Sequence, residues 1–175
     1  MTIRISRAQD GFQNFPYPSD HSNGRTNNGG IDLVRSPERI EEITELSALP
    51  KLRHILTKMN APEGRFMTLG VEAGAQDGFF DGYIELAFRD SEVAKNEANY
   101  HHLLQSFCDW ISIEHHEVAG AIFVSLVAEI QHFHLYGMAH GERVTLWFHT
   151  MNKDACDQLL GILAHYRNLR GFAPS

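Results

Sequence analysis

The sequence predicts an α+β domain, on three observations. Two stretches, 79–89 and 143–149, alternate apolar and polar residues with the period of a half-buried strand. Each is followed by a segment whose apolar residues recur at helical spacing. The two stretches also superpose at an offset of 60 residues, Tyr83-Ile84-Glu85-Leu86-Ala87-Phe88 over Arg143-Val144-Thr145-Leu146-Trp147-Phe148. The chain therefore reads as a weak structural duplication with element order α-β-β-α-β-β-α. Two ββα halves of this kind build an antiparallel sheet with helices packed on one face.

Residues 1–35 are expected to form a flexible N-terminal arm before a single domain at 36–175. Between Gln9 and Gly30 stand Pro16, Pro18, four glycines and four asparagines, with almost no aliphatic side chain. Such a stretch buries too little apolar surface to offset its ordering entropy. Phe12, Phe15 and Tyr17 are the exceptions, and could dock on the domain or a partner.

Ser36-Pro37-Glu38 reads as the start of the first helix, with serine at the cap, proline at the first position and acids in the first turn. Pro50 ends or kinks it, and Leu52, Ile55, Leu56 and Met59 then form a second amphipathic turn or two, ending before Asn60-Ala61-Pro62. Strands follow at 65–73 and 79–89, joined by a turn near Gln76-Asp77-Gly78. A helix is expected over 91–113, with Tyr100, Leu103, Leu104, Phe107 and Ile111 on its buried stripe. Residues 121–128 are nearly all apolar, as in a strand covered on both faces, and run on to 136 through a bulge or as a separate strand. A turn holding Gly137 and Gly141 leads to the strand 143–149. The last helix starts near Asn152 and ends before Gly171.

With 43% hydrophobic and 21% charged residues among 175, the chain can bury the core of one ordinary domain. No window approaches the ~18 to 20 consecutive apolar residues that a membrane helix needs. The first residues carry positive charge with no apolar run behind it, so no signal peptide is expected and the location is read as cytoplasmic. Residues 1–60 hold eight Lys/Arg against seven Asp/Glu, and residues 61–175 hold seven against fifteen. Phosphate backbones would repel so acidic a domain, which disfavours nucleic acid and suits either a basic partner or plain solubility.

The motifs of common chemistry are missing: no phosphate-binding Gly-rich loop, dinucleotide fingerprint, nucleophile elbow or zincin helix stands in the sequence. No catalytic residue and no cofactor is assigned. Cys108 and Cys156 match no metal or redox spacing and read as small core hydrophobes. Eleven histidines are unusual. His132 and His134, two apart on a strand, would share a face, and His149 on a neighbouring strand could complete a metal site. No carboxylate follows at the spacing such a site needs, so polar surface is the ordinary reading. His115-His116 suits a helix C-terminus. His101 and His102, adjacent on a helix, cannot chelate together.

If the inner face of the sheet is the aliphatic one, Tyr83, Glu85, Arg143 and Trp147 lie on its outer face. Aromatic residues there are favoured interface contacts, and these four are the candidate partner-binding residues. A covering helix over 37–60 is the structural alternative.

The order of elements, together with the strand Arg143-Val144-Thr145-Leu146-Trp147-Phe148-His149, its short polar turn and the helix over 154–169, resembles the type III secretion chaperones of the Tir-chaperone family. The resemblance runs over about two thirds of the chain, counted from Arg65, and rests on element order and hydrophobic rhythm. It implies a homodimer that wraps an extended segment of a secreted partner. The expectation is a non-catalytic protein-binding module, chaperone-like, for a secreted or basic polypeptide. The alternatives are a toxin-neutralising immunity protein, a phage-encoded inhibitor, or a small His-ligated metalloprotein or metalloenzyme.

Overall fold

The computed structural model describes residues 3–8, 14–22, 27–116 and 123–166, the side chains of 123–125 excepted. Their architecture is α+β, one sheet with the helices on one face.

The region after Ser36 differs from the expected helix. Two short 3-10 turns, Pro37–Glu42 and Thr44–Ser47, bury no residue, and Ser36 makes no side-chain cap. Helix α1 is Pro50–Met59, so Pro50 opens a helix instead of ending one. The cause is local: a proline ring disfavours helical backbone in the residue before it, and Leu49 sits at φ −127°, ψ 81°. No helix can run through that position.

Strands β3 (Phe66–Gln76) and β4 (Phe79–Phe88) form a hairpin closed by Asp77 at φ 49° and Gly78 at φ 86°. A two-residue loop with both residues left-handed matches the twist of its strands, and Asp-Gly supplies it cheaply. Helices α2 (Ser91–Ala94) and α3 (Glu97–Glu114) replace the single helix expected over 91–113. The break falls where Asn96 caps the second, its side chain accepting from the Ala98 N–H at 3.1 Å.

Strands β5 (Phe123–Leu135) and β6 (Met138–Thr150) repeat the hairpin around Tyr136-Gly137. Gly141, expected in the turn, lies inside β6, where a Cβ would stand 2.6 Å from the Ala94 backbone; its bare α-carbon lets α2 close on the sheet. The Asn152 side chain caps α4 (Lys153–His165) by accepting from the Ala155 N–H at 2.9 Å. The helix ends at His165, before Gly171, with Tyr166 in extended backbone, and residues 121–122 of the apolar run lie outside the described residues.

With β1 at Arg4–Arg7, the sheet order is β1-β5-β6-β4-β3. The two similar stretches become direct neighbours at its centre, antiparallel, with Tyr83 opposite Trp147 and Leu86 opposite Val144. Their aliphatic residues Ile84, Leu86, Phe88, Val144, Leu146 and Phe148 pack against Leu52, Ile55, Phe107, Leu159 and Leu163 of the helices in one core. Each such side chain contributes about 1.5–3 kcal/mol. Cys108 and Cys156 are buried in the helices, and burial pushes their thiols up to about 11 and about 12.

The sheet is mixed, not wholly antiparallel. Strands β1 (Arg4–Arg7) and β2 (Asn14–Phe15) both run parallel to β5 along its free side. These residues belong to the stretch expected to be a flexible arm, yet Phe15 is fully buried. Residues 9–13, with Phe12, and 23–26 lie outside the described residues. Among the described residues, no helix is long and apolar enough to cross a membrane.

Candidate partner-binding face

The face of the sheet turned away from the helices is built from cross-strand rows. One row runs Arg4, Val127, Trp147, Tyr83 and Glu72 across β1, β5, β6, β4 and β3. The next holds Ser6, Glu129, Thr145, Glu85 and Gly70, and beyond it Gln131 faces Arg143. Residues opposite one another share a face, so the four candidates named from the sequence are brought together. Their surroundings divide them into two pairs.

Glu85 and Arg143 are inside, at 8% and 2% exposure, so they are corrected from surface contacts to internal ones. The Arg143 guanidinium donates to Glu85 Oε1, to Thr145 Oγ1 at 3.0 Å and to Gln131 Oε1 at 2.5 Å. Burial raises the Glu85 carboxyl above its ordinary value, with Arg143 and Thr145 opposing that shift. The cover is the chain's own N-terminal segment. Phe15 forms a small second core with Met67, Leu69, Ala87 and Phe133, and Tyr17 packs beside it, ring centroids 6.2 Å apart. Gly70 makes room: a Cβ there would lie 2.7 Å from Glu85 Oε2 and 3.2 Å from the Tyr17 hydroxyl. Burial, with Glu85 next, pushes the Tyr17 phenol up to about 12.

Tyr83 and Trp147 stand where that cover stops. Trp147 is 41% exposed, its ring 4.8 Å from that of Tyr83, and its indole N–H donates to Glu129 at 2.9 Å. Exposed Phe79 packs against His149, ring centroids 4.5 Å apart and tilted, and His149 pairs with Asp81 through Nδ1. A shallow depression of about 720 Å³ spans this half of the face, from Glu72 and Gly74 to Val127 and His149. Burial also raises the Tyr83 phenol, with the Glu85 and Glu72 carboxylates adding to it.

His149 does not join the other two histidines named as weak metal ligands, His132 and His134, which lie two apart on β5. His132 contacts Glu142 at 3.1 Å beside Arg7, a residue of β1 that also reaches Glu97. His149 lies seven positions further along β6 than Glu142, about 23 Å at the rise of a strand, and on the other face. Among the described residues, no three His, Cys, Asp or Glu are placed to hold a metal. His115 ends α3, its ring 4.7 Å from that of Trp110, and His101 contacts Glu97 at 3.2 Å.

Sequence reasoning named Phe15 and Tyr17 as aromatics that could dock on the domain or a partner, but it set their segment aside as a flexible arm and did not find where they dock. The signal that could have found them is the period-two pattern Ile3-Arg4-Ile5-Ser6-Arg7, a strand pattern in a segment otherwise set aside, with two aromatics shortly after it. Compared with models of protein families, with curated proteins and with solved structures, the chain matches none.

Proposed function

We propose that the chain is a non-catalytic protein-binding module that presents the uncovered half of its sheet to an extended, basic polypeptide. The observation that carries this reading is Trp147, 41% exposed at the centre of a sheet and packed against the Tyr83 ring at a tilt of 60°, with Glu129 held to its indole. A large aromatic fixed by its neighbours offers contact area at little entropic cost, which is why such residues dominate binding energy at interfaces. Glu72, Asp81 and Glu129 surround it, against Arg4 opposite Val127 and a His149 already paired with Asp81. The other half of the same face supports an extended occupant, because there the chain's own N-terminal segment buries the aromatic side chain of Phe15.

The test is native mass spectrometry of the protein purified gently from its own source cells, as wild type and as Trp147→Ala with Tyr83→Ala. The wild type retains a polypeptide of defined mass, the double variant loses it, and Ile113→Ala, an equally apolar change at an exposed site on α3, keeps it. A bare wild-type chain, or a complex indifferent to the double variant, contradicts the reading.

A further inference from the structure

The two long edges of the sheet are finished differently. Along β5, β1 and β2 supply neighbours from the same chain. Along β3, among the described residues, β4 is the one strand neighbour. An unpaired edge is a row of backbone donors and acceptors, which proteins cover, charge or use. Here it opens into a cleft of about 780 Å³ between Thr68–Ala73 and a wall formed by 27–29 and 43–45.

The cleft is sided. The helix face of β3 gives it Val71 and Ala73, and Leu33, Ile43 and Leu56 add to an aliphatic wall. The outer face gives it Gly70, Glu72, Tyr17 and Tyr83, and Glu45 lies close enough to act on the Tyr17 phenol. Its lining holds three carboxylates, Glu42, Glu45 and Glu72, and no lysine, arginine or histidine among the described residues. Glu42 is already met by Arg39 at 2.7 and 2.8 Å, whereas Glu45 and Glu72 are met by neutral hydroxyls, of Thr44 at 3.2 Å and of Tyr83, and keep their charge for an occupant.

We infer that the edge of β3 takes an added strand from a partner polypeptide, and that this strand alternates basic and aliphatic residues. Successive side chains of a strand point to opposite faces. One set would enter the aliphatic wall, and the other would meet two phenol rings and two carboxylates, a setting that favours a lysine ammonium or an arginine guanidinium. Gly70 and Gly74 leave that approach low in bulk. This inference rests on the protein-binding reading and names the chemistry of the partner.

The probe is the blocked peptide Lys-Val-Lys-Val-Lys-Val-Lys, titrated into the full-length protein at low ionic strength while amide hydrogen exchange is followed. The peptide is expected to slow exchange within 70–76 and to bind at least tenfold tighter than Lys-Lys-Lys-Val-Val-Val-Lys, which has the same composition and charge. N-methylation of its alternate amides along either edge should cost at least tenfold for the edge that pairs, and Glu45→Lys should cost a similar factor. Ile113→Ala, at an exposed site on α3 away from the cleft, should leave this binding unchanged. Equal binding of the two peptides, indifference to N-methylation on both edges, or no binding of the alternating peptide at millimolar concentration would each overturn the inference. If the edge fails while the Trp147 and Tyr83 variant still loses its natural partner, the wider reading stands and the added strand alone is wrong.

Discussion

The two halves of the outer sheet face come from the same strands and the same alternation, yet they have opposite fates. At one end Phe15 and Tyr17 lie across the strands, and Glu85 and Arg143 have become an internal ion pair under them. At the other end Trp147 is left to solvent beside a half-buried Tyr83, with carboxylates around them. Only two positions along β4 separate Tyr83 from Glu85. What divides the halves is therefore the reach of the N-terminal segment and not any change in the strands. A strand pattern reports which face a residue is on; whether that face is covered depends on chain from elsewhere.

The comparison can be broken hardest at the buried pair. Glu85→Ala leaves the Arg143 guanidinium without its carboxylate in a site closed to water, and should cost about 3–5 kcal/mol in denaturant unfolding. Replacing the pair together, Glu85→Leu with Arg143→Met, should recover most of that loss. Phe15→Ala should cost about 3 kcal/mol, the lower end for an aromatic truncation, because the second core is small. The same variant should speed hydrogen exchange in β1 and β2 if the segment docks as a unit.

A third test concerns the seam between β1 and the domain. Glu142 is 2% exposed, and burial raises its carboxyl above the ordinary range despite His132 and Arg7. A raised carboxyl binds protons more readily in the folded than in the unfolded state, so its contribution to stability is present below its ordinary value. That contribution is lost as pH rises through the raised one. Melting temperatures of wild type and Glu142→Gln should thus converge near pH 4 and separate by pH 7, with the amide variant the more stable. The smallest effect belongs to the open half. Trp147→Ala should change stability by less than about 1 kcal/mol, since the side chain is exposed and its hydrogen bond runs to a surface carboxylate.

Much of this fold is legible along the sequence because its causes are local. Asp77-Gly78 supplies the turn its hairpin requires, Asn152 caps its helix, and the apolar residues of 84–88 and 144–148 alternate toward the helices. The offset of 60 residues marks two strands that become partners. The helix expected from Ser36 rests on a cap that the serine side chain does not make, whereas the break before Pro50 is local and legible. The candidate face was half legible. Tyr83 and Trp147 follow from alternation, whereas the burial of Glu85 and Arg143 depends on Phe15 and Tyr17, far away in the chain. Parallel pairing of so short a segment with β5 leaves no turn or helix signal nearby to announce it.

The reading can be tested at Trp147 itself. The chain has two tryptophans, so Trp110→Phe leaves Trp147 as the sole indole. Its fluorescence should be readily quenched by acrylamide in the free protein and strongly shielded in the complex recovered from source cells. Equal quenching in the free and bound states would mean that the partner docks elsewhere and that the open half of the sheet is not the binding face.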